Sequence, residues 1–219
     1  MKKVNTKKFL IAAGMLVAFV LWTTAIQIFD VQTIGPLEST VGFATINRFV
    51  HNLTGVHMSL YTITDWLGLV PIFVAMGFAV SGLAQLIRRK KLSRVDYSIL
   101  ILGLFYVAVM AVYILFEIVT VNYRPVLINS VLEKSYPSST TLLVMCVMPT
   151  AAMQLNTRIK NNTIRKAVLY LITAFVGFMV IGRLVSGVHW FTDIVGGALL
   201  SAGLVMIYRF LIGLKSNVN

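Results

Sequence analysis

Long apolar runs separated by short polar breaks make up most of the chain, and the lengths of those runs predict its architecture. Phe9 to Phe29 is apolar apart from two threonines, a glutamine and a glycine. At about 1.5 Å of rise per helical residue, such a run crosses a hydrocarbon core of about 30 Å. Trp66 to Ile87, Tyr97 to Val121, Ser138 to Leu155, Ala167 to Val188 and Ile194 to Leu214 repeat the pattern; the fourth is shorter and opens on a polar turn. The pattern predicts an all-α protein, a six-transmembrane-helix bundle forming a single integral membrane domain over 1–219. A basic start followed by an apolar stretch also opens secretory signal peptides. This run is too long for one and no small-residue cleavage site follows it, so it counts as a span.

The longest polar excursion is Asp30 to Asp65, and within it Phe43, Ile46, Phe49, Val50 and Leu53 recur at helical spacing. That spacing predicts a short helix lying in the outer interface, or a lid over the outer face. His51 and His57 fall in the same stretch. No carboxylate or cysteine accompanies them at ligand spacing, so solvated or headgroup contact is expected there and no metal site. Asn52-Leu53-Thr54 matches a glycosylation acceptor, a tripeptide common by chance.

Composition sharpens the class. With 58% apolar and only 12% charged residues, and a mean hydropathy of +0.87, the chain is too apolar for a water-soluble domain. The single Cys146 lies inside an apolar run, which leaves neither a disulfide framework nor a thiol metal site, and no cofactor is implied. A net charge of +12 would suit nucleic acid, but the basic residues cluster at the ends of apolar runs, a signature of membrane topology. Nucleic acid is therefore not an expected partner.

The distribution of that charge sets the orientation. Lys2, Lys3, Lys7 and Lys8, then Arg88, Arg89, Lys90, Lys91 and Arg94, then Arg158, Lys160, Arg165 and Lys166, then Arg209 and Lys215 all fall on one side of a six-span path. Arg48, Arg124, Lys134 and Arg183 fall on the other. The positive-inside bias puts both termini in the cytoplasm of a multi-pass cell-membrane protein, with the second group facing outward.

Three outer segments carry chemistry: Asn122 to Pro125, Tyr136 to Thr141, and Arg183 to Asp193. His189 and Asp193 are four residues apart, so a helix starting at that point would stack them on one face. The carboxyl could then take one imidazole N–H and leave the other nitrogen's lone pair free to attack or to accept a proton. Arg183 and Arg124 supply planar forks of donors suited to phosphate, and arginines at the ends of membrane helices need water or an anion to meet them. Pro137-Ser138-Ser139-Thr140-Thr141 opens a helix, whose first N–H groups and positive dipole end attract anions. Plain N-capping at Ser138 and an ordinary turn at Arg124-Pro125 account for those segments equally well when each is taken alone.

Arg124-Pro125, Pro137-Ser138, and Arg183 separated by five residues from His189, itself three residues short of Asp193, resemble the type 2 phosphatidic acid phosphatase family. The resemblance covers roughly Glu117 to Asp193. It implies a six-helix membrane phosphatase acting on a lipid phosphate. It further implies that His189 attacks phosphorus to form a phosphohistidine and that Asp193 orients it. Arg124, Arg183 and the backbone at Ser138 and Ser139, with Thr140 beside them, would hold the phosphoryl oxygens.

Three positions depart from the family pattern. Glu117 stands where the family has lysine, Thr140 where it has the histidine that serves as general acid, and Gly182 where it has serine. An alcohol leaving group needs a proton, whereas a phosphate leaves unprotonated because its second pKa is about 6. Loss of the acid therefore points to a polyprenyl diphosphate substrate, such as the undecaprenyl carrier of bacterial wall synthesis. The other reading is a phosphatase-like protein without turnover that binds or moves anionic lipid. A carboxylate at 117 would repel a diphosphate unless it faces elsewhere or pairs with Arg124.

Overall fold

The computed structural model describes residues 2–215, with side chains from 6 to 214. Among these residues, eight α-helices follow one another: α1 (Lys2–Ile28), α2 (Ala44–Thr54), α3 (Met58–Leu67), α4 (Leu69–Arg89), α5 (Tyr97–Ile118), α6 (Ser139–Arg158), α7 (Asn162–Val185) and α8 (Phe191–Lys215). Two short antiparallel strands, Gln32–Thr33 and Thr40–Val41, form a small hairpin after α1.

Among the described residues, five segments are long and apolar enough to cross a membrane: Thr6–Ile28, Met58–Arg89, Tyr97–Ile118, Asn162–Val185 and Phe191–Leu214. The sixth run expected from the sequence, Ser138 to Leu155, does form a helix, α6, but falls outside that group. The physical reason lies in its position. Thr140, Thr141, Thr150 and Gln154 are all buried, and α6 packs among α4, α5, α7 and α8, so its polar side chains need not face lipid. Thr150 and Gln154 find partners inside the bundle, Thr150 in Tyr106 Oη at 3.2 Å and Gln154 in the Tyr208 hydroxyl.

Other boundaries shift as well. The second span, expected from Trp66, starts as α3 at Met58 and breaks at Gly68. Pro71 near the start of α4 has no N–H to give Leu67, which ends one helix and starts the next. The expected amphipathic segment is α2. Ile46, Phe49 and Leu53 point outward at 42%, 66% and 75% exposure, while Ala44 and Asn47 on the opposite face are buried.

The central core joins Phe19 and Ile26 of α1, Leu102, Phe105 and Val109 of α5, Leu142 and Cys146 of α6, and Leu200, Val205 and Tyr208 of α8. Lipid tails are as apolar as these side chains, so close packing and interhelical hydrogen bonds hold such a bundle, each bond contributing roughly 0.6 to 1.7 kcal/mol. Thr23 Oγ1 meets Tyr136 Oη at 2.6 Å, and the Tyr136 ring stacks on Phe19 with centroids 6.3 Å apart. Asn47 Nδ2 donates to Thr192 Oγ1 at 3.0 Å, fastening α2 to the start of α8. At the other end of the bundle, Asp96 binds Arg89 at 2.9 Å, which holds its carboxyl below the usual carboxylate range.

Candidate active site

The loop between α7 and α8 carries His189, and local backbone chemistry holds it in place. Ser186 N–H donates to Gly182 O at 2.8 Å as α7 ends, and Gly187 then adopts φ +70°. A side chain at 187 would be strained in that conformation, and its Cβ would stand 2.0 Å from the Gly55 carbonyl oxygen. The close approach lets His57 N–H donate to Ser186 O at 3.0 Å, pinning the loop to the connection between α2 and α3.

Asp193 sits in the first turn of α8 and accepts the Trp190 N–H at 2.9 Å, the reciprocal half of a capping box. Its other oxygen accepts from Asn122 Nδ2 at 3.2 Å, and its carbonyl accepts from Ser138 N–H at 3.1 Å. Trp190 Nε1 donates to Tyr123 O at 2.8 Å. The three segments singled out in the sequence therefore meet at one aspartate. His189 itself lies in the loop before Phe191, where α8 starts, so the expectation of one shared helix face is corrected. The two side chains still meet, with His189 Nδ1 3.7 Å from Asp193 Oδ2.

That separation is beyond normal hydrogen-bond range. His189 Nε2 faces two guanidinium groups instead, Arg183 Nη2 at 3.2 Å and Arg124 Nη1 at 3.5 Å. Guanidinium nitrogens only donate, so Nε2 is the acceptor and the proton belongs on Nδ1, toward Asp193. Burial, and then the positive charges of Arg124 and Arg183, push the His189 pKa well below 6.5, while the nearby Ser135 backbone acts in the opposite direction. The outcome is a neutral imidazole with a lone pair aimed between two cations.

Each arginine has a further acidic neighbour. Arg124 Nε binds Glu133 at 2.9 Å, and Arg183 Nη1 lies 3.6 Å from Asp65 and 3.4 Å from Thr64 Oγ1. The Tyr61 ring sits under both, 5.0 Å from the Arg183 guanidinium carbon and 5.8 Å from that of Arg124. Tyr61, Thr64, Asp65 and Glu133 were not anticipated from the sequence, and Asn122 was anticipated only as part of its segment. The only local signal for the first three was their i, i+3, i+4 spacing, which places them on one face of a helix.

The other anticipated residues divide. Ser138 caps α6, accepting from Thr141 N–H at 3.4 Å, and its own N–H is occupied by the Asp193 carbonyl. That donor is therefore not free for phosphate. Ser139 lines a small crevice with Glu117, Lys134 and Tyr136. Thr140 packs toward Gly68, where an added Cβ would stand 3.6 Å from its methyl. Among the described residues, no hydrogen bond joins the Ser139 or Thr140 side chain to the arginine and histidine cluster.

Two departures from the family pattern acquire physical accounts. Glu117 is exposed and unpaired with Arg124, whose partner is Glu133, and Lys134 Nζ caps this end of α5 by donating to the carbonyls of Glu117 at 2.7 Å and Ile118 at 2.9 Å. A Cβ at Gly182 would lie 2.8 Å from Thr64 Cγ2, so the glycine lets α3 seat against α7.

Comparison with known proteins agrees with this geometry. Among curated proteins, none matches the chain. The crystal structure of a transmembrane PAP2-type phosphatidylglycerolphosphate phosphatase from Bacillus subtilis shares the fold, with a TM-score of 0.62 at 17% identity over 95% of this chain and 98% of that one. Residues 117–213 match the PAP2 superfamily model. That stretch holds every residue of the arginine, histidine and aspartate cluster, so the part of the chain that builds the site is similar to the PAP2 superfamily.

Proposed function

We propose that this chain is a lipid phosphatase that hydrolyses a polyprenyl diphosphate, of which the undecaprenyl carrier is one, through a phosphohistidine at His189. One observation carries the reading: a buried neutral imidazole whose free nitrogen points at two guanidinium groups. An anion entering between Arg124 and Arg183 takes over their donors, which frees the lone pair on Nε2. His189 attacks the terminal phosphorus, the bridging P–O bond breaks, and lipid monophosphate departs with the electron pair. Asp193, opposite Nδ1–H, stabilises the charge that develops on the ring. Water then attacks the phosphohistidine, the P–N bond breaks, and inorganic phosphate is released.

The diphosphate preference follows from position 140. Threonine supplies no proton to a leaving alkoxide, which costs a lipid monophosphate up to the roughly 10²- to 10⁴-fold that general acid catalysis contributes. An apolar cavity of about 940 Å³ lies between α4, α5 and α6, and none of its lining residues belongs to the arginine and histidine cluster. It is lined by Ile72, Phe78 and Leu86 of α4, Leu102 and Met110 of α5 and Val147 of α6.

The proposed topology has six spans, with α6 crossing inside the ring of the other five, both termini cytoplasmic, α2 in the outer interface and the site facing outward. Charge asymmetry supports it. Thr140 also favours a second reading, binding or moving anionic lipid without turnover. Detergent-purified protein offered a panel of lipid mono- and diphosphates, with His189→Ala as control, separates them. Diphosphate turnover lost in His189→Ala supports the proposal, equal monophosphate turnover removes the leaving-group argument, and no turnover of either substrate favours the second reading.

A further inference from the structure

The proposed phosphohistidine leaves one chemical need unmet. Its hydrolysis requires that the attacking water lose a proton, and an acid that serves the first half of a double displacement ordinarily returns as base in the second. Position 140, where the family resemblance implies that acid, is a threonine. The turn that backs onto it, however, is the end of α3: an added Cβ at Gly68 would meet Thr140 Cγ2 at 3.6 Å and the Asp65 carbonyl oxygen at 2.8 Å.

That turn carries a carboxylate. Asp65 Oδ1 lies 3.6 Å from Arg183 Nη1, while Nη2 of the same guanidinium lies 3.2 Å from His189 Nε2. Both contacts are on the terminal fork of Arg183, so a phosphoryl group held by that fork sits between His189 and Asp65. Glu133 differs, because it binds Arg124 through Nε, whereas the Arg124 atom that faces His189 Nε2 is Nη1. The Arg183–Asp65 contact is longer than a normal charge-assisted hydrogen bond, and the Asp65 side chain is 58% exposed, so it is reachable by water and not locked in place. Of the two other histidines at this end, His51 tilts against Trp190 with ring centroids 5.5 Å apart and His57 Nε2 bonds the Thr54 carbonyl at 2.8 Å, and among the described residues neither contacts a guanidinium.

We propose that Asp65 is the base that activates water against the phosphohistidine, an inference that rests on the phosphohistidine reading of His189. The carboxylate takes a proton from water as the O–P bond forms. The P–N bond breaks, its electron pair returns to His189 Nε2, and inorganic phosphate leaves; Asp65 then releases the proton to solvent.

The test is pre-steady-state kinetics on the full chain in detergent, using farnesyl diphosphate and, separately, phosphatidic acid, each radiolabelled in the phosphate transferred. Asp65→Asn is expected to retain the burst of the first product, to accumulate labelled protein, and to turn over about 10²- to 10⁴-fold more slowly. Breakdown of that labelled species should accelerate about tenfold per pH unit, because hydroxide replaces the missing base, and Asp65→Glu should restore part of the wild-type rate. Loss of the burst in Asp65→Asn would overturn the proposal by giving Asp65 a role in the first step or in holding Arg183. Accumulation in His51→Gln and not in Asp65→Asn would overturn it by moving the base to His51. Absence of any His189-dependent labelled protein in the wild type would remove the phosphohistidine reading itself. A wild-type phosphoenzyme that Asp65→Asn leaves unchanged removes only the role of Asp65.

Discussion

Arg183 Nη2 stands 3.2 Å from His189 Nε2, and Arg183 is 1% exposed. A buried guanidinium against the lone pair of a buried neutral imidazole is an arrangement waiting for an anion. Both partners gain when a phosphoryl group enters, the arginine by meeting negative charge and the histidine by regaining a free lone pair.

Arg183→Lys keeps the positive charge and removes the planar fork. The expected result is a fall in kcat/KM of about 10²- to 10³-fold, comparable with the loss of one preorganised donor to a transition state. Phosphate release in detergent measures it, and a variant with unchanged kcat/KM would show that Arg183 does not grip the reacting phosphoryl group.

Asp193 does two things that substitutions separate. Asparagine retains an oxygen for the Trp190 N–H but not the negative charge opposite His189 Nδ1, so Asp193→Asn should lower kcat by about 10²- to 10⁴-fold with little change in thermal midpoint. Alanine loses the cap as well and should cost about 1 kcal/mol of stability in addition. Equal activities for Asp193→Asn and the wild type would leave the carboxyl a purely structural cap.

The pH dependence of His189 has a definite sign. Burial and the two arginines lower its pKa, so the neutral, nucleophilic form persists as pH falls through 6.5, where an ordinary histidine is half protonated. Between its folded value and 6.5 the unfolded chain binds the extra proton, so this residue makes folding less favourable as pH drops across that window. Histidine-selective NMR, assigned with His189→Ala, should show the His189 resonances unchanged from pH 7.5 to about 6. A midpoint at or above 6.5 contradicts the assignment.

Gly182→Ser restores the residue that the family pattern has, yet should be harmful here. Its Cβ would stand 2.8 Å from Thr64 Cγ2, in the contact through which α3 presents Thr64 and Asp65 to Arg183. Overpacking of this kind costs roughly 1 to 3 kcal/mol, read as a lower thermal midpoint. Thr64→Ala in the same chain should recover part of the loss, and additive effects of the two substitutions would argue against the contact.

The sequence was most informative where one stretch of chain carries the whole message. Apolar run length marks the helices because a backbone in lipid must satisfy its own hydrogen bonds, and the spacing of Arg183, His189 and Asp193 survives because the end of α7, the start of α8 and the short loop between them hold all three. It marked α6 as a helix but not its place among α4, α5, α7 and α8, since hydropathy does not distinguish a helix facing lipid from one enclosed by other helices. It also assigned Ser138 an N–H for phosphate, which the Asp193 carbonyl takes across the bundle.

By itself, then, the chain determined that it forms apolar helices, which end carries the cations, and that an arginine, a histidine and an aspartate share one segment between two apolar runs. Only the tertiary structure decided that Asp65 and Tyr61 reach Arg183, that Glu133 holds Arg124, that Asn122 holds Asp193, and that Gly182 is needed beside Thr64. Apart from Arg124 and Glu133, such pairings join residues far apart in the chain, as with Thr64 and Arg183, which are 119 positions apart. They exist only once helix faces have chosen their neighbours, and that choice depends on shape and hydrogen bonding summed over the whole bundle, with no trace in local periodicity.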